Sequence, residues 1–170
     1  GAGCLSLAQA AALDRYVAAG GKLLATGETS LYDERGRPRA GYALDSLGIR
    51  RVITRKEAMR SAYFRVRAEE RHGQLADIGL LMLDGKYLYA ELKEGARAAW
   101  ALVPPCLFGP PEKVWADQVE TTWAGAILYD QGRGRSAYLP WDLDRLYYRH
   151  SSPGHAAAFA WLLEELLGGE

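Results

Sequence analysis

Apolar residues recur at helical spacing most clearly near the two ends of the chain. Ala10, Leu13 and Val17 line one side of a helix that Ser6 and Gln9 start as a capping box, each side chain bonding the other's backbone. Gly20-Gly21 ends it, because glycine accepts the left-handed dihedrals of a helix stop. At the other end Phe159, Leu162, Leu163 and Leu166 define the apolar face of a last helix, with Ser152 as N-cap, Pro153 at the first helical position and Gly168-Gly169 as the stop. Between them the period shortens. Residues 22–26 (KLLAT), a short apolar run with glycine on both sides, read as a buried strand, and residues 62–67 alternate. Residues 80–83 and 87–92 flank Asp84-Gly85, a type I′ hairpin signal. Residues 98–103 predict a strand closed by Pro104-Pro105, and residues 124–129 and 136–139 predict a second hairpin around 131–134 (QGRG). A short helix over 42–47, stopped by Gly48, and a turn or helix after Trp141-Asp142 complete the set.

A helix that turns directly into an apolar strand is half of a βαβ unit, so the preceding parallel strand is expected upstream of Gly1. The fold expected is one α/β domain over residues 1–170: a mixed sheet with antiparallel hairpins, a C-terminal helix packed on it, and a truncated N-terminus. Residues 33–39 (DERGRPR) read as a surface turn, and residues 104–115 (PPCLFGPPEKVW) as an irregular loop that covers something, because it joins proline to large apolar side chains.

Composition narrows the function. A chain of 170 residues suits one domain and buries roughly two thirds of its unfolded surface. Lysine plus arginine equal aspartate plus glutamate at 21 each, so no net field draws nucleic acid or an anionic membrane, and neither is expected as a partner. No apolar run approaches the ~18 residues of a membrane span, and the N-terminus lacks the pattern of a signal peptide. Cys4 and Cys106 have no metal spacing, which suits free thiols in a reducing, cytoplasmic compartment; a disulfide between them is the alternative. No cofactor or metal is expected.

The bend after the first strand, residues 25–29 (ATGET), is where an α/β domain presents its chemistry. It holds no cysteine and no G-x-S-x-G frame, so Thr26, Thr29 and Ser30 are expected to cap and hydrogen-bond the turn. Cys106 lies in a loop with no helix N-terminus after it to lower its pKa. Glycoside hydrolysis needs two carboxylates across a sugar, and Glu28, Asp33, Glu34, Glu112, Asp142 and Asp144 all lie in predicted turns. The plainer expectation is that Glu28 pairs with an arginine, that Asp33 and Glu34 are solvated, and that Asp142 caps the turn after it. His150 and His155, five residues apart across Pro153, lack the spacing that puts two imidazoles on one helix face; His155 is expected near the first turn of the last helix. Trp100, Trp115, Trp123, Trp141, Tyr147 and Tyr148 crowd the C-terminal half and read as core, a sugar-stacking surface or a subunit contact.

Four long strings carry a resemblance: the helix over 6–21, ATGETSLYDERGRPR, PPCLFGPPEKVW and YLPWDLDRLYYRHSSPGH. Together they resemble the β-galactosidase trimerisation domain and its relatives in bacterial glycoside hydrolases, whose fold is that of class I glutamine amidotransferases without the catalytic cysteine. The resemblance implies a flavodoxin-like sheet and a noncatalytic accessory domain that packs against a glycosidase barrel, joins subunits into a homo-oligomer, and lends residues to a carbohydrate cleft. Substrate or interface candidates are Glu28, Trp115, Trp141, Asp142, Tyr148 and His150. Two rivals remain: a small hydrolase using Glu28 with Asp142 or His150, and a carbohydrate-binding module using Trp115, Trp141 and Tyr148.

Overall fold

The computed structural model describes residues 2–105, 109–110, 112 and 120–168. Its first element is helix α1, Leu7–Ala18, which opens as its sequence predicts: the Ser6 hydroxyl accepts from the Gln9 N–H while the Gln9 side chain accepts from the Ser6 N–H. The chain then enters strand β1, Lys22–Thr26. A 3-10 turn, Asp45–Leu47, stands where a short helix over 42–47 is expected, and it ends at Gly48 with φ 71°. Strands β2 (Ile49–Lys56), β3 (Ala62–Arg65), β4 (Leu80–Leu83), β5 (Tyr87–Leu92), β6 (Arg97–Val103), β7 (Ala124–Gln131) and β8 (Gly134–Leu139) follow, then helices α2 (Leu143–His150) and α3 (Pro153–Leu167).

Six strands form a mixed sheet in the order β1-β8-β7-β6-β3-β4, while β2 and β5 form a separate antiparallel pair. Only β1 runs parallel to its neighbour, with Lys22 opposite Arg135 and Thr26 opposite Leu139; the other pairs are antiparallel. The coarse expectation of a mixed α/β domain therefore holds. The β7–β8 hairpin also forms as predicted, turning through Gly132 and Arg133.

The hairpin predicted at Asp84-Gly85 does not form. Strand β4 pairs with β3 in the large sheet, whereas β5 pairs with β2 in the small one. Three residues, Asp84, Gly85 and Lys86, separate the two strands. A type I′ hairpin admits two. Lys86 is drawn instead to Glu28, with Nζ 2.9 Å from Oε2, and Gly85 accepts from the Met59 N–H at 2.8 Å. A local signal thus yields to long-range pairing.

Side-chain alternation along the strands divides the interior in two. Leu24, Leu128, Ala137 and Leu139 join the larger core under α2 and α3, around the fully buried rings of Trp100, Trp141 and Trp161. Leu23, Ala25, Ile127 and Tyr138 belong to a smaller core closed by α1 and the 3-10 turn through Ala10, Leu44 and Leu47. Strand β1 is an edge strand with Leu23 and Leu24 only half-buried, not the fully buried strand its composition suggests. Helix α3 is rotated from its expected face: Ala158, Trp161, Leu162 and Leu166 are buried, while Phe159 and Leu163 are each 40% exposed. No helix among the described residues is long and apolar enough to cross a membrane.

One local feature departs from ordinary backbone. Trp100, inside β6, has φ 57°, a left-handed conformation uncommon for a bulky residue. Its N–H donates to Glu70 Oε1 at 2.9 Å, and Glu70 Oε2 accepts from the Arg67 N–H at 2.8 Å. A buried carboxylate thus accepts two backbone donors, one of them from this left-handed residue.

Candidate functional site

The C-terminal end of β1 is where the sequence directs attention, and its hydroxyls are occupied by the fold. Thr29 Oγ1 donates to the Thr26 carbonyl at 2.7 Å. The buried Ser30 Oγ accepts from the Ala43 and Leu44 N–H groups, both at 3.2 Å. Thr29 and Ser30 fasten the loop, as expected, whereas the Thr26 hydroxyl leaves it and donates to Asp144 Oδ1 at 3.4 Å. Gly27, with φ 57°, donates its N–H to the Leu139 carbonyl at 2.8 Å, and its carbonyl accepts from the Tyr138 hydroxyl at 2.6 Å. Tyr138 also meets the Tyr42 hydroxyl; burial pushes the Tyr42 phenol up to about 12, even though the bond to Tyr138 pulls it down. These groups hold the bend rigid.

Glu28 leaves this bend toward three donors, the nearby Tyr32 and two from distant parts of the chain. Oε1 accepts from the Tyr32 hydroxyl at 3.0 Å and from Arg55 Nη1, and Oε2 accepts from Lys86. Arg55 Nε in turn reaches Glu57 at 2.7 Å. Partial burial alone would raise the Glu28 pKa. The bonds from Lys86 and Tyr32, with the charges of Lys86 and Arg55, outweigh it and hold the carboxyl below its usual value. Glu28 is therefore ionised and ion-paired, in agreement with the plainer expectation for it.

Asp142 stands on the other side of the bend. A β-carbon added at Gly27 would lie 2.1 Å from Asp142 Oδ1, so the carboxylate occupies the space that glycine leaves free. It takes the N-cap position of α2 without making a capping bond, contrary to expectation. Burial, reinforced by the charge of Asp144, raises its pKa. Glu28 and Asp142 thus flank Gly27 with opposite shifts. His150 is not with them. It is exposed on the last turn of α2, eight residues beyond Asp142 and about 12 Å along the helix axis at 1.5 Å per residue.

The aromatic candidates separate as well. Trp141 is fully buried, donates Nε1–H to the Gly125 carbonyl at 2.7 Å and packs against Phe64 with ring centroids 4.9 Å apart. It has no face left for a sugar or a partner, because its ring completes the core. Tyr148 is 88% exposed. Trp115 and Cys106 lie outside the described residues; Cys4 is an exposed free thiol. His155 is buried in the first turn of α3, donates Nε2–H to the Met82 carbonyl at 2.8 Å, and has its pKa lowered by burial. Among the described residues no group of three histidine, cysteine or carboxylate side chains is arranged to hold a metal ion.

Beside Asp142 opens a cleft of about 250 Å³ between α2 and the loops before β3 and β5. Arg60, Lys86, Arg145 and Arg149 line it, together with Glu57 and Asp84. Sequence reading missed this basic rim. The signal was present in Arg145 and Arg149, four residues apart on a segment read only as a turn or short helix, but Arg60 and Lys86 join them only through the fold.

No protein-family model matches the chain, and no curated protein sequence matches it. Solved structures do. A β-galactosidase from Bacillus circulans sp. alkalophilus superposes with a TM-score of 0.68 at 14% identity, covering 98% of this chain and 22% of that one. An α-L-fucosidase isoenzyme 2 from Paenibacillus thiaminolyticus gives 0.65 at 19% identity, covering 93% and 23%. Gan42B, a GH42 β-galactosidase, gives 0.60 at 15%, covering 88% and 20%. The chain therefore spans about a fifth of the length of these matches, and it has the fold of one domain within the much longer chains of β-galactosidase-type glycoside hydrolases.

Proposed function

We infer that this chain is a noncatalytic accessory domain of a glycoside hydrolase, with a flavodoxin-like, amidotransferase-like ancestry, that packs against a glycosidase barrel and joins subunits. One observation carries the reading: nearly all of this chain superposes on about a fifth of a β-galactosidase chain. The bend after β1 supports it, since Thr26, Thr29 and Ser30 are all engaged in hydrogen bonds within the fold and Glu28 is engaged with its cations. The exposed aromatic and apolar side chains of α2 and α3, Tyr147, Tyr148, Phe159 and Leu163, supply contact area for neighbours. The test is light scattering on the purified chain, alone and with the barrel of its parent. Self-association or a stable complex is expected; a strict monomer without affinity for the barrel would overturn the reading.

The hydrolase rival draws on one feature, the opposite pKa shifts of Glu28 and Asp142, which resemble the division between acid and base in paired-carboxylate enzymes. Turnover of aryl galactosides or fucosides that disappears in Glu28→Gln would favour it. The binding-module rival loses Trp141 to the core and keeps Tyr148 as its exposed ring.

A further inference from the structure

The cleft beside Asp142 has a chemistry that the accessory-domain reading does not use. Across the molecule arginines commonly hold a carboxylate: Arg51 meets Glu91, Arg55 meets Glu57, and Arg135 meets Asp130. Arg60, Arg145 and Arg149 do not. Among the described residues none of the three has a hydrogen bond or an ion pair, yet all line one concavity. Arg145 and Arg149 sit one turn apart on α2, a spacing at which like charges repel. The arrangement is relieved when an anion enters between them, and guanidinium forks suit carboxylate and phosphate oxygens.

The N-terminal end of the same helix, within the field of Arg145, adds a second wall with the complementary requirement. Asp142 is half-buried and has no side-chain hydrogen bond among the described residues. Its carboxylate is an acceptor packed against the bend at Gly27, and among the described residues no side-chain or backbone group makes a hydrogen bond to it. Asp84, on the rim, has no ion-pair partner among the described residues either, whereas Glu57 and Lys86 are taken up by their own pairs. A ligand that satisfied both walls would place an anionic group among the arginines and hydroxyl donors toward Asp142. At about 250 Å³ the cleft lies just below the usual range for drug-sized ligands, the size of a single sugar ring and not of a peptide.

We propose that the cleft formed by Arg60, Arg145, Arg149 and Asp142 binds a small hydroxylated anion, a polyol that carries a carboxylate or a phosphate. The proposal is independent of subunit assembly, so it survives or fails separately from the accessory-domain reading. Calorimetric titration of the full 170-residue chain tests it. The probes are glucuronate and glycerol phosphate, with glucose and glycerol as neutral polyols and acetate and sulfate as bare anions. At least one hydroxylated anion is expected to saturate in the millimolar range or tighter, and the one that does identifies the source of the charge. The double variant Arg145→Ala/Arg149→Ala should raise its Kd by roughly tenfold or more, the scale of one lost charge-assisted contact. Asp142→Asn should raise it by about threefold, since an amide oxygen still accepts. Arg60→Gln, on a different element, repeats the test should the α2 variant fail to fold. Absence of saturation by both anions, equal binding of acetate or sulfate, saturation by glucose, or wild-type affinity in the arginine variants would each overturn the assignment.

Discussion

Two glutamates show how differently one fold treats a carboxylate. Glu70 is buried and has no ion pair among the described residues; both of its oxygens accept backbone N–H groups, from Trp100 and Arg67. Glu28, half-buried at the end of β1, holds Lys86, Arg55 and Tyr32. Glu70 holds the left-handed residue Trp100 in its strand, and both of its donors belong to the main chain. Glu28 gathers side chains from three separate segments whose charged ends water can also solvate. The first is architecture. The second is a charged surface that can be rearranged, and it borders the cleft.

The contrast gives a ranked set of expected effects. Glu70→Ala should cost most, about 3 kcal/mol in urea unfolding, because it leaves one buried and one partly buried N–H group without their acceptor. A loss below about 1 kcal/mol would show that the clamp is dispensable. Gly27→Ala comes next, at about 1–2 kcal/mol, since the residue keeps a left-handed φ and its new methyl displaces the Asp142 carboxylate. A crystal structure of that variant with Asp142 unmoved would contradict the packing described for the bend.

Smaller effects separate Glu28 from Asp142 by pH. Glu28→Gln should lose about 1 kcal/mol or less near neutrality, as partly solvated ion pairs do. The native Glu28 pKa is lowered, so its stabilisation is present above the usual glutamate value of 4.5 and is lost as pH falls through the lower native value. The stability gap between wild type and variant should therefore close in acid; a constant gap would mean that the ion pairs contribute nothing. Asp142→Asn has the opposite sign. Its native pKa is raised, so wild-type stability falls as pH rises through that value, and the variant should be the more stable by a few tenths of a kcal/mol near neutrality. Thermal melts of the two proteins across that range should converge toward low pH.

What the sequence made legible was local. The Ser6–Gln9 cap, the Gly132-Arg133 turn and the Ser152-Pro153 helix start depend on neighbours a few residues away, and all three elements form where expected. The Asp84-Gly85 hairpin failed because Lys86 and the two flanking strands answer to partners elsewhere in the chain. Helix α3 carries apolar residues on nearly every side, so periodicity alone left its buried face undetermined, and Trp161 was passed over for Phe159. At the bend, the absence of a nucleophile was readable directly. The partners of Glu28 were not: Arg55 and Lys86 lie 27 and 58 residues away. Glu70 drew no notice at all, because nothing in VRAEERH distinguishes a buried acid from a solvated one.

The lone parallel pairing, β1 against β8, has a consequence for the order in which the molecule is assembled. Its two strands are more than a hundred residues apart in the chain. Closing so large a loop is entropically costly and slow, so the local β7–β8 hairpin should form first and offer the template on which β1 docks. During synthesis, α1 and β1 leave the ribosome long before that template exists. Their apolar sides must wait, exposed or shielded by a chaperone, until Leu139 has emerged.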